Sequence, residues 1–231
     1  MFDSKTLDIY LREIGVKTPV SLLFSALERE KNIQQAVNKP VEKLVEIENS
    51  ITNLETLKQQ ALACEQCNLA SMRSCVSFGS GNKHADILLV ADVPHVDHHA
   101  QDDVFTEDSS LLLNQMLMAM GLQREQVYVT PIIQCATPDH RDPNEQEWEA
   151  CQPWLQQKIH WIQPKVILLM GRVAAQMVLQ SDKPLHDLRG QWHDYQDVPV
   201  RVLYHPLYLL RSPRQKQVMW EDLLMVQERL R

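Results

Sequence analysis

Glycine is scarce in this chain, six among 231 residues, and proline contributes only twelve, so a low-complexity chain is excluded. No run of about 18 apolar residues is present to span a bilayer. A basic stretch followed by an apolar core and a small-residue cleavage site is also missing from the first residues, and the expected location is cytoplasmic, away from membranes. Positive charge is in deficit. A formal net charge of -7 gives no overall attraction to phosphate, so nucleic-acid binding would need a local basic surface. No internal repeat is visible.

What is present is ordinary for a globular protein, with 44% hydrophobic and 23% charged residues. The length suits one medium domain with an appendage. Ser4 caps a short amphipathic helix with Leu7, Tyr10, Leu11 and Ile14 on one face and Gly15 at its end; a related apolar pattern runs from Pro19 to Leu27. Residues 1–30 are therefore expected to form an N-terminal helical segment. Residues 31–60 are read as a polar linker and helix, and residues 61–231 as the main domain. A helical pattern from Pro40 through Leu57 leads toward Ala63.

Beyond Cys64, short aliphatic runs alternate with longer helical patterns, which predicts an α/β fold of three layers, helices covering both faces of a mostly parallel sheet. The expected strands are Ile87 to Ala91, Val127 to Thr130, Val166 to Met170 and Val200 to Tyr204. Expected helices are Leu111 to Met120, Asn144 to Ile162, Val173 to Leu179 and Arg214 to Leu230. Loops starting at Asp92, Pro131, Gly171 and His205 then fall at the carboxyl ends of strands, where open α/β sheets bind ligands.

Five cysteines in a chain expected in the cytosol argue for metal rather than disulfides. Cys64 and Cys67 form a C-x2-C pair, Cys135 follows a strand, and Cys151 lies on the next helix. Four such thiolates suit tetrahedral zinc or an iron-sulfur cluster, and spacing alone does not separate these. Cys75 is the leftover thiol.

Several blocks resemble the iron-sulfur uracil-DNA glycosylases of family 4. Cys64-x2-Cys67 with Leu69 and Arg73 is similar to that family's opening, and Ile87 to His95 stands where the family has a strand ending in GEAPG. Cys135-Ala-Thr-Pro138, Arg141-Asp-Pro143, Glu147 and Cys151 resemble its cysteine segment. Pro164 to Gly171, Leu188-Arg189-Gly190 and His205 to Arg211 look like its PKVIV-x-LG, LRG and HPAYLLR motifs. The resemblance implies a uracil-DNA-glycosylase-like fold and a 4Fe-4S cluster on Cys64, Cys67, Cys135 and Cys151, zinc being the fallback.

It also implies roles. Phe105 falls on the family's base-stacking phenylalanine, His205 on the histidine that supports the leaving base, and Asp92 on the glutamate of GEAPG. Arg189, Arg211 and Arg214 become candidate DNA contacts. Departures stand beside these matches: Pro131 replaces the asparagine that pairs with uracil, and His98 and His99 replace an acidic pair. Proline has neither an amide side chain nor a backbone donor. His95, Asp97, His98 and His99 read as a solvated loop.

The Leu11-x-x-Ile14-Gly15-Val16 segment resembles the N-terminal peptide of the psi subunit of bacterial DNA polymerase III. With the altered pocket, this leads to the expectation of a non-catalytic replication or repair accessory protein. Leu7, Tyr10, Leu11 and Ile14 would dock on the clamp loader and the rear domain on the chi subunit, with DNA as a further partner. The alternative is an active glycosylase that excises uracil or another deaminated base.

Overall fold

The computed structural model describes residues 53–73, 76–94 and 104–230. The expected docking residues Leu7, Tyr10, Leu11 and Ile14, the leftover Cys75 and the His95 to His99 stretch lie outside the described residues.

Two aliphatic runs are buried at every position, β2 (Ile87–Ala91) and β4 (Val166–Met170). Strands covered on both faces read as unbroken apolar runs, which is what helices on either side of a parallel sheet require. They lie mid-sheet in the order β1 (Ser80–Gly81), β3 (Tyr128–Pro131), β2, β4, β6 (Val198–Leu203), β5 (Trp192–Tyr195). The β3-β2-β4-β6 pairings are parallel, while β1 and β5 add antiparallel edges.

Successive strand residues point to opposite faces, so each strand feeds two cores. On one face Leu88, Val90, Ile167, Leu169, Val200 and Val202 pack with α1 (Leu54–Leu62), α3 (Glu145–Ile162) and α4 (Arg172–Leu179). On the other, Ile87, Leu89, Val129, Leu168 and Met170 pack with α2 (Glu107–Ala119), and α7 (Gln215–Arg229) shares that core. Two short helices, α5 (Leu185–Leu188) and α6 (Pro206–Arg211), fill connections. The chain is thus a three-layer α/β/α domain with a mostly parallel central sheet.

Local chemistry sets the helix starts. Asn53 and Thr106 accept from backbone N–H groups of α1 and α2. Asn144 and Glu147 form a reciprocal capping box on α3. The segment counted as linker and helix contributes α1 to the packed body, because Leu57 and Ala61 are fully buried in the core.

The four expected strands and four expected helices of the main domain are found with ends shifted by at most a few residues. The two edge strands and the two short helices were not foreseen. Among the described residues, no helix is long and apolar enough to cross a membrane.

Candidate functional site

The parallel strands end side by side, and the segments leaving their carboxyl ends wall one cavity of about 190 Å³. Asp92 comes from the end of β2, His205 from beyond β6, and Val173 from the first turn of α4. Phe105, Thr106 and Ser109 arrive with the start of α2, and His140 to Asp142 enter from the loop ahead of α3. The strand-end placement expected for the ligand loops is therefore seen for Asp92 and His205, and Phe105 joins them.

Asp92 is half-buried, and its Oδ1 accepts a 2.8 Å hydrogen bond from the Ala174 N–H in the first turn of α4. Gly171 precedes that helix with no side chain to cap it, so a carboxylate from β2 supplies the cap. Only glycine fits there: φ is +106°, and an added Cβ would meet Asp92 Oδ2 at 2.3 Å. Burial pushes the Asp92 carboxyl up to about 6, against the lowering effects of the Ala174 bond and the Arg172 charge; Asp142 raises it slightly.

His205 begins α6, and its Nδ1 accepts from the Leu207 N–H at 3.2 Å. In the neutral ring the proton then resides on Nε2, making that nitrogen a donor. The imidazole lies 5.2 Å from the Phe105 ring, tilted by 42°. An aromatic face and an imidazole donor thus meet at one wall.

The loop that carries His140 is backbone-strained. Asp139 and His140 both take left-handed φ values, 53° and 54°. Arg141 locks the loop to α3 through two bonds to Glu147, at 2.8 and 2.5 Å, and holds that carboxyl below its usual range. Asp142 pairs with Arg172 at 2.6 Å beside Asp92. Pro131, in register with Ala91, ends β3 without offering an amide.

The four cysteines flank the α1 and α3 side of the sheet. Cys64 and Cys67 follow α1, Cys135 lies in the loop after β3, and Cys151 lies in α3; all pack against the same core. Burial raises the Cys135 thiol and Cys67 and Cys64 add to this, while burial pushes Cys151 up to about 12 with help from Cys135 and Cys64. Donors already point at two sulfurs: Arg73 Nη1 lies 3.6 Å from Cys135 Sγ, and the Gln134 N–H lies 3.4 Å from Cys151 Sγ.

Among the described residues, no group of three or more such ligands is gathered for a single metal ion. Four thiolates on one zinc at about 2.3 Å would be crowded to within about 4 Å of each other. A cluster gives each sulfur its own iron and accepts wider spacing. Four thiols packed against one core are a donor set that suits an iron-sulfur cluster, and the zinc fallback finds no support.

One expected DNA contact is corrected. The Arg189 side chain is 7% exposed; it pairs with Asp222, donates to the Val218 carbonyl at 3.2 Å and stacks 4.2 Å over Tyr204. Burial in this network withholds it from phosphate. Arg211 and Arg214 are exposed.

Sequence reasoning missed Asp142, Thr106 and Ser109 as parts of the cavity, Arg172 as the partner of Asp142, and the buried Lys158 of α3. Lys158 is 1% exposed, donates to Thr130 Oγ1 at 2.8 Å and sits 4.2 Å over the Phe78 ring. Its signal was available: a lone charge on the α3 face that also carries Trp154, Leu155, Ile159 and Ile162. Asp142 stood unremarked inside the motif block around Arg141.

A cavity at the carboxyl ends of parallel strands, walled by an aromatic ring, an imidazole donor and a half-buried carboxylate, stands where open α/β proteins bind their ligands. The family model described as "Uracil DNA glycosylase superfamily" matches residues 78–224, well over half of the chain, and the chain belongs to that superfamily. It is 29% identical to the Type-4 uracil-DNA glycosylase of Sulfurisphaera tokodaii over 185 residues, which cover 76% of this chain and 84% of the relative. Over 173 residues it is 29% identical to the Type-4 uracil-DNA glycosylase of Archaeoglobus fulgidus, covering 71% and 87%. The same identity holds over 174 residues with that of Thermotoga maritima, covering 74% and 91%.

These similarities lend no support to the expectation of a non-catalytic accessory protein. The relatives are named as enzymes, which favours the excising alternative, and they lend no support to clamp-loader or chi-subunit partners.

Proposed function

We propose that this chain is a DNA glycosylase that draws a deaminated base, uracil among them, out of the strand and into the cavity described above. The observation that carries this reading is that Asp92, Phe105 and His205, from three separate stretches of sequence, line one cavity. In the reaction the C1′–N bond breaks and its electron pair leaves with the base. Phe105 stacks on the base, and His205 Nε2–H donates to the oxygen that gains negative charge. Water adds at C1′, and Asp92, a carboxylate above about pH 6, orients it and takes its proton.

Arg211 and Arg214 supply local positive charge for the strand on a chain that is acidic overall. Cys64, Cys67, Cys135 and Cys151 would hold a 4Fe-4S cluster, which supplies a covalent tie between the α1 end, the β3 loop and α3. The same reading keeps residues 1–30 as an N-terminal segment, 31–60 as a linker and helix whose end packs on the domain, and the cytoplasm as the location.

Pro131 favours a second reading, a member that binds DNA without excising a base, because a site lacking its amide partner loses orders of magnitude in discrimination. One assay separates the two. Iron-loaded protein is incubated with uracil- and hypoxanthine-containing oligonucleotides, single- and double-stranded, and abasic sites are counted. Turnover is expected, and His205→Ala should lower it by about 10²- to 10³-fold. Bound DNA without abasic sites on any substrate would establish the binding-only reading instead.

A further inference from the structure

Next to the cysteines lies a pair of buried polar side chains with nothing to bond. Gln134 is 4% exposed, and neither its Nε2 nor its Oε1 has a hydrogen-bond partner; Ser77, 3% exposed, leaves its Oγ equally unpartnered. Their backbones are joined, since the Ser77 N–H donates to the Gln134 carbonyl at 2.8 Å. An orphaned buried polar group is costly to keep. Three such atoms on two residues whose backbones are bonded call for a group that they serve.

Their position names it. The Gln134 N–H already lies 3.4 Å from Cys151 Sγ, and the next residue is Cys135, whose sulfur faces Arg73. Gln134 therefore stands in the chain beside one cysteine and in space beside another, and its amide is a buried donor in the neighbourhood of a group held by these sulfurs. Lys158 follows Cys151 by two helical turns on the same face of α3, and helix side chains lean toward the N-terminus, so its charge inclines toward that ligand.

We propose that Gln134 Nε2–H donates a hydrogen bond to sulfur of the iron-sulfur cluster, and that this bond raises the cluster's reduction potential. The proposal rests on the cofactor reading above. Reduction adds negative charge that spreads over the sulfurs, so a donor aimed at sulfur stabilises the reduced state more than the oxidised one. Gln134 is thus a tuning residue for the cofactor and has no part in bond cleavage.

The test uses the full chain, purified anaerobically, with iron and sulfide counted. Gln134→Leu keeps the shape and removes the donor. Its cluster should be about tenfold harder to reduce at a given potential, a midpoint roughly 59 mV more negative for one electron. A second measurement needs no variant: wild-type protein carrying 15N in the glutamine side chains, reduced by dithionite or by radiolysis in the frozen state, should show a 15N coupling in the cluster's paramagnetic resonance.

An iron-loaded Gln134→Leu protein with an unchanged midpoint, or a wild-type cluster without that coupling, overturns the proposal while leaving the cofactor in place. Iron-free wild-type protein would instead bring down the cofactor reading, and this proposal with it.

Discussion

Asp92 has two attachments that pull against each other. Its Oδ1 caps α4 through Ala174, which favours the charged form, yet burial outweighs that bond and leaves the carboxyl at about 6 rather than 3.8. An acid whose folded value is raised binds more protons when native than when unfolded, so stability falls as pH rises between about 4 and 6. A shift of about two units corresponds to about 3 kcal/mol. Asp92→Asn should flatten that stretch of the stability curve, measured by urea unfolding at pH 4 and pH 7. If the carboxylate also assists excision, the wild-type rate climbs through an apparent value near 6, and the amide variant loses both the limb and most of the rate. A variant that unfolds with the wild-type pH dependence would disprove the assignment. That a strand-end acid mattered could be read from Asp92 beside Val93-Pro94; its service as a cap for another element could not, because the cap depends on Gly171, 79 positions away.

The elements are held by one buried charge network on the α7 side. Asp222 of α7 accepts from Arg201 of β6 at 3.1 and 2.7 Å and pairs with Arg189 at the turn before β5; the side chains of Asp222 and Arg201 are each 3% exposed. Arg189 stacks on Tyr204 next to His205, so the network reaches the cavity wall. Removing the carboxylate leaves two guanidinium groups with little solvent, and breaking a buried pair of this kind costs about 3–5 kcal/mol. Asp222→Ala should lower the unfolding free energy by that amount in a denaturant titration; a loss under about 1 kcal/mol would show the pairs to be solvated. The network also explains what pattern reading misjudged, for Arg189 looked like a surface cation near the end of the chain. Central strands were legible because parallel strands run apolar without interruption. The edges were not: Ser80–Gly81 has poor strand formers, and Trp192–Tyr195 is half-covered at three of its four positions, so neither shows a period.

For the molecule as a whole, the proposed cluster would join, through the four cysteines, the end of α1, the loop after β3 and α3. Cys67 and Cys135 are separated by nearly 70 residues, and Cys151 follows on α3. A covalent tie across a loop of that length limits the unfolded chain by about 4 kcal/mol on the cross-link entropy scale. The convergence of these residues was suggested by their spacing, but its chemistry came only from resemblance, since spacing fits zinc as well as a cluster. The benefit should fall unevenly. The α1 helix is held by Leu54, Leu57 and Ala61 against the core and by the cysteines at its end, whereas β2 and β4 are buried on both faces. Stripping iron with a chelator should therefore lower the melting temperature and speed amide hydrogen exchange first in α1 and in residues 132–137, with β2 and β4 remaining protected. Equal melting of the loaded and stripped protein would mean that the cluster does not bind these segments together, and uniform loss of protection would mean that α1 and the sheet unfold as one unit.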